Sequence, residues 1–126
     1  MKQIMAVIFL AVASQLLAQN EAAFFTALKS ADYATMESYL EENIDFCVFE
    51  DQQILNKKAA LSKLKTFLSN YKVLSVEVIH KGTSKDKSSQ YKVAKITTSK
   101  EVFRLFVYAS GEIGSKTVKE IRVDKF

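Results

Sequence analysis

The stretch HKGTSKDKSSQYKVAKITT, residues 80–98, decides how this chain is to be folded. Gly82 and the polar run from Thr83 to Ser89 carry no apolar anchor, so they form a surface connection. Gln90 and Tyr91 open a return strand. Upstream, KVLSVEVIHKG (72–82) alternates with a period of two. That alternation predicts Leu74, Val76, Val78 and His80 on one face, with Val73, Ser75, Glu77 and Ile79 on the other. Two such runs joined by a polar loop make an antiparallel hairpin. Lys81, Lys85, Lys87 and Lys92 keep its tip soluble and discourage pairing at the edge.

The same period continues downstream in EVFRLFVYASG and TVKEIRVDKF. Polar breaks fall near 99–101 and at 110–116, so a four-strand meander is expected. Upstream the period changes. Asn20 is placed to cap a helix with Phe24, Ala27, Leu28 and Ala31 on one face. Asp32 caps a second short helix carrying Tyr33, Met36, Tyr39 and Leu40. Ile44, Phe46 and Val48 alternate with Asp45, Cys47 and Phe49, which predicts a strand. A turn at 50–52 comes next, then a short return strand at 53–55. Asn56 caps a third helix with Ala60, Leu61, Leu64, Phe67 and Leu68 on its apolar side. Helices segregated from a mostly antiparallel sheet define an α+β domain. A curved sheet wrapped around the long helix buries all three apolar helix faces and leaves a cone with a pocket at its wide end, unless aromatic side chains fill it.

The 126 residues are 48% hydrophobic and 25% charged, an ordinary globular composition, with nine Phe, five Tyr and no Trp or Pro. The N-terminus reads differently. Lys2, the apolar run from Ile4 to Ala13 and the small and polar residues after it have the layout of a secretory signal peptide, with cleavage placed after Ala18. Residues 1–18 are therefore expected to be a leader, and residues 19–126 a single exported domain, periplasmic or extracellular. The apolar run falls short of the ~20 residues of a membrane span, and none is expected in the mature chain. Losing Lys2 lowers the formal net charge from +4 to +3. The lysines read as spread along the chain, so nucleic acid is a disfavoured partner. The single cysteine, Cys47, excludes an internal disulfide and reads as a buried core thiol.

The element order, the central hairpin HKGTSKDKSSQYKVAKITT, the run VFRLFVY and the closing KEIRVDKF resemble the nuclear transport factor 2-like (cystatin-like) superfamily. More narrowly, they are similar to a family of small exported bacterial proteins of that fold with no assigned function. The resemblance covers the chain from about residue 20 onward and implies the folded-cone architecture. It brings no catalytic, cofactor or metal residues with it. The turn KDKSSQ departs from the pattern in lacking a glycine after Asp86.

The residues themselves point to little chemistry. His80 is the only histidine; on the expected face it sits at the rim of the cone, where a neutral imidazole has acid–base capacity. Tyr39 is its conceivable partner in an isomerase or dehydratase type of pocket. Asp45 and Asp51 show no apolar enclosure of the kind that raises a carboxyl pKa, and no metal-ligand spacing, nucleophile elbow or phosphate loop is present. The candidate pocket comprises Phe24, Tyr39, Phe46, Phe67, Val78, His80 and Tyr91, suited to a small apolar ligand. A second candidate surface is a homodimer face on the last strands. There Arg104, Phe106 and Tyr108 share one face, Val118, Glu120 and Arg122 lie at period two on the next strand, and Arg104 is expected opposite Glu120 or Arg122. No cofactor is implied. The reading is a non-enzymatic binding or interaction domain, with the pocket enzyme as its rival.

Overall fold

The computed structural model of the chain describes residues 23–111 and 117–126. The leader expected over 1–18 lies outside them. Among the described residues three helices precede or interrupt six strands: α1 (described over 23–29), α2 (Tyr33–Glu37), β1 (Leu40–Val48), β2 (Asp51–Asn56), α3 (Lys57–Leu68), β3 (Val73–Thr83), β4 (Ser89–Thr98), β5 (Val102–Ser110) and β6 (Thr117–Lys125). They form one sheet in the order β2-β1-β6-β5-β4-β3. All neighbours are antiparallel except β1 and β6, which run parallel.

The described helix ends have local causes, while the cap expected at Asn20 lies outside the described residues. Asn56 caps α3 by accepting a 2.8 Å hydrogen bond from the Ala59 N–H. Asp32 caps α2, accepting from the N–H and the hydroxyl of Thr35. These two bonds, the hydroxyl's first, hold the Asp32 carboxyl below its ordinary range. The second helix is shorter than its apolar spacing suggested. It ends at Glu37, and Leu40 already belongs to β1.

Helix α1 ends in a paired turn, with Ala31 N–H donating to Leu28 C=O and Asp32 N–H to Ala27 C=O. Ala31 adopts φ 59° at the position glycine usually fills. The left-handed conformation costs an L-residue roughly 1–2 kcal/mol. Ala31→Gly should therefore raise stability by about 0.5–1 kcal/mol in urea unfolding, the entropy of an added glycine offsetting part of the relief.

The core lies between the helices and one face of the sheet. Phe24, Phe25, Ala27 and Leu28 of α1, Met36 of α2, and Ala60, Leu61, Leu64 and Leu68 of α3 are all buried. They meet Ile44 and Phe46 of β1, Ile121 and Val123 of β6, Phe103, Leu105 and Val107 of β5, and Ala94 and Ile96 of β4. Directly paired residues share a face, so the registers define this inner face row by row. One row reads Phe46–Ile121–Val107–Lys92–Lys81 and the next Val48–Val123–Leu105–Ala94–Val78. Four rings pack together around Phe103. Phe103 lies 5.1 Å from Phe67, 4.9 Å from Tyr71 and 6.2 Å from Phe49, centroid to centroid.

Candidate functional site

Two surfaces compete for the role of site, the inner hollow and the outer face of the sheet. The seven residues expected to line a pocket do not converge. Phe24 and Phe46 are buried in the core, and Tyr39 packs against it partly exposed. Phe67 belongs to the ring cluster. Phe46 and Phe67 also border an open recess of about 300 Å³ between α3 and the β1–β2 hairpin. Its remaining wall includes Val48, Asp51, Lys63 and Thr66, which sequence reasoning did not select. Lys63 and Thr66 sit one turn apart on the polar side of α3, a spacing visible in the sequence but indistinguishable there from an ordinary solvated helix face.

Val78 and His80 part company for a physical reason. The β3–β4 register slips twice, between Val73 and Ser75 and between Val78 and His80. Leu74 and Ile79 are thus extra residues on β3, and each bulge inverts the alternation after it. Val78 pairs with Ala94 on the inner face, whereas His80 pairs with Val93 on the outer one. The uninterrupted alternation expected from Leu74 to His80 is corrected accordingly. His80 and Tyr39 are likewise not brought together. Tyr39 adjoins β1, four strand steps from β3, or roughly 19 Å across the sheet at ~4.8 Å per step.

On the outer face His80 joins an aromatic group. The Tyr91 hydroxyl lies 2.9 Å from His80 Nε2, and the Tyr91 ring stacks on Phe106 at 5.8 Å and 25°. Tyr91 stands directly opposite Gly82. A Cβ on Gly82 would fall 2.7 Å from Tyr91 Cζ and 2.9 Å from Oη, and closer still to Cε1. The missing side chain is therefore what lets the ring lie across β3.

The registers extend this group into ordered rows. One reads Cys47–Arg122–Phe106–Val93–His80, the next Asp45–Glu120–Tyr108–Tyr91–Gly82, and a third Asp124–Arg104–Lys95–Glu77. All five candidate dimer residues, Arg104, Phe106, Tyr108, Glu120 and Arg122, lie on this face. Two details differ from expectation. Arg104 pairs with Asp124 rather than with Glu120 or Arg122, and a register shift after Tyr108 turns Val118 into the core. Arg122 contacts Glu120 along its own strand at 3.5 Å, and the Arg104 guanidinium and the Lys95 ammonium both sit over the Phe126 ring, at 5.3 and 5.0 Å. Cys47 is buried, with its thiol 3.1 Å from the Phe49 carbonyl.

The hairpin loop is held by one carboxylate. Asp86 accepts from the Ser84 hydroxyl at 2.6 Å, the Ser88 hydroxyl at 2.7 Å and the Ser88 N–H at 3.0 Å. Lys87 takes φ 61°, the left-handed position that this turn fills without a glycine. The bonds from Ser84 and Ser88, the Ser84 hydroxyl's first, hold the Asp86 carboxyl far below its ordinary range. Their contribution is complete above the unfolded value of about 3.9 and fades as pH falls toward the depressed folded value. Protection of the Ser88 amide, measured as exchange relative to the intrinsic rate at each pH, should therefore begin to fall below about pH 4, and Asp86→Ala should show lowered protection already at neutral pH.

Among the described residues no group of three or more His, Cys, Asp and Glu side chains is placed to hold a metal ion, and no helix is long and apolar enough to cross a membrane.

A curved six-strand sheet packed on three helices is the nuclear transport factor 2-like α+β fold, and solved structures similar to this chain share it. A DUF4783 family protein from Bacteroides uniformis superposes with a TM-score of 0.72 at 24% identity, over 81% of this chain and 93% of that one. Its counterpart from Bacteroides ovatus gives 0.73 at 20% identity, over 81% and 91%. The structure described as Rd1NTF2_04 with long sheet gives 0.68 at 14%, over 87% and 98%. The chain belongs to the DUF4783 family, a domain of unknown function, whose profile matches residues 22–124. No curated protein matches it.

Proposed function

We propose that this chain is a non-enzymatic interaction domain that pairs with a second copy of itself through the outer face of its sheet. The observation that carries this reading is the composition of that face. An aromatic centre of Tyr91, Phe106 and Tyr108 is bordered by both signs of charge, and aromatics with Arg are the residue types enriched where proteins meet. A two-fold axis along β5 suits the charges. It sets Phe106 against its own copy, Asp124 of β6 against the partner's Lys95 of β4, and Glu120 against the partner's Tyr91, each contact occurring twice. Against a pocket enzyme stands the separation of His80 from Tyr39. Against a ligand-holding cone stand the packing of Phe67 and Tyr71 onto buried Phe103 and a recess at the low end of small-molecule site volumes, about 300 Å³. With the leader read over residues 1–18, the pair would work outside the cytoplasm.

Sedimentation equilibrium tests the proposal. The wild type is expected to show a monomer–dimer equilibrium. Phe106→Glu should raise its dissociation constant at least about tenfold, as for a central interface residue, with an unchanged circular dichroism spectrum. A wild type that stays monomeric at every attainable concentration, or a Phe106→Glu protein that dimerises equally well, would sink it.

A further inference from the structure

We propose that the edge of the sheet formed by the β3–β4 hairpin docks the domain onto an anionic phospholipid surface, a role separate from pairing through the outer face. The first observation is where the charge sits. Residues 72–98 hold six lysines against two acids, and the rest of the chain is balanced, with twelve basic and twelve acidic residues. The formal net charge of +4 therefore resides entirely in this hairpin, and the lysines are not evenly spread in the sense that matters.

The fold leaves much of this charge facing water. Helix α3 also carries four lysines, but the acids of the β1–β2 region offset them, and Lys57 reaches Glu42 at 3.9 Å. In the hairpin, Glu77 lies opposite Lys95. Asp86 directs its carboxylate to Ser84 and Ser88 rather than to a lysine. Lys81, Lys85 and Lys87 are exposed.

The second observation is apolar. Leu74, Val78 and Ile79, all on edge strand β3, are 51, 41 and 44% exposed. Aliphatic side chains beside lysines match the boundary between acyl chains and anionic headgroups. The register slips at Leu74 and Ile79 disfavour a strand of another protein as occupant, because an added strand needs an unbroken ladder. A lipid surface imposes no register. Single-stranded nucleic acid would want free aromatic platforms, and the hairpin's one aromatic, Tyr91, is committed to Gly82, His80 and Phe106.

Vesicle co-sedimentation of the full chain tests this, since the N-terminal apolar run then contributes equally to every arm. Wild type should prefer mixed phosphatidylglycerol–phosphatidylcholine vesicles over phosphatidylcholine alone and lose that preference in high salt. Lys81→Glu, Lys85→Glu and Lys87→Glu combined should lower partition onto the anionic vesicles about tenfold or more and leave the neutral ones unchanged. Val78→Ser with Ile79→Ser should weaken binding to both. If the triple variant melts early, Lys85→Ala with Lys87→Ala, confined to the loop, should show the same direction. Equal binding of wild type to both vesicle types, charge-reversed protein that partitions like wild type, or displacement from anionic vesicles by a lower concentration of oligonucleotide than of lipid would overturn the proposal.

Discussion

Phe103→Ala is expected to destabilise the domain by about 3–5 kcal/mol, the range for emptying a fully buried aromatic site. Phe103 is completely buried. Like Phe67, it packs against each of the other three rings of the cluster, and it is the fully buried one. Removing it takes away its transfer free energy and leaves a cavity bounded by a β-strand on one side and by α3 on the other. Neither wall is free to collapse, since β5 is paired with both β4 and β6. Set against a total stability of ~5–15 kcal/mol for a domain of this kind, the loss is a large fraction. Urea unfolding followed by circular dichroism measures it. A loss below about 1 kcal/mol would mean that the rings do not pack as described. Phe103→Leu, which keeps most of the volume, should recover more than half of the difference.

Gly82→Val is the second large effect, at about 2 kcal/mol, within the range for overpacking. Valine itself favours a strand, so intrinsic preference alone would make the substitution neutral or better. The cost arises because the new side chain occupies the space of the Tyr91 ring. That ring must swing away, which breaks its bond to His80 and its stack on Phe106. A double-mutant cycle separates the causes. With Tyr91→Ala already present, Gly82→Val should cost little, leaving a coupling of about 1 kcal/mol or more. Additive effects would show that the ring does not rest on the glycine. Through Phe106 the same substitution should also weaken pairing through the outer face.

Much of the fold was legible in residue order. The meander β3 to β6 came from period-two runs broken by polar turns, and α3 from Asn56 and its apolar side. The buried Cys47 agreed with a lone thiol in a strand-like run. Other features needed partners that lie far along the chain. The two extra residues on β3 look like ordinary members of an alternating run, because Leu74 and Ile79 are apolar like their neighbours. Only pairing against β4 reveals that each one flips the facing of the residues after it and that the second carries His80 to the outer face. The parallel contact of β1 with β6 joins segments some 75 residues apart and leaves no local signature. The five residues of the candidate dimer face share one face because β5 and β6 are regular through most of their shared register. Of the candidate pocket, His80 was lost to the register slip on β3, while Phe24 and Phe46 were taken up by the core.

The sequence by itself determined the α+β class, the order of elements and the caps at Asp32 and Asn56, since each depends on spacing within a few residues. The tertiary structure alone decided which face each β3 residue occupies, that four rings from distant segments pack around Phe103, and that Gly82 is a seat for Tyr91. Those outcomes depend on inter-strand register and on side-chain volume shared between distant segments, and neither quantity is defined until the strands have paired.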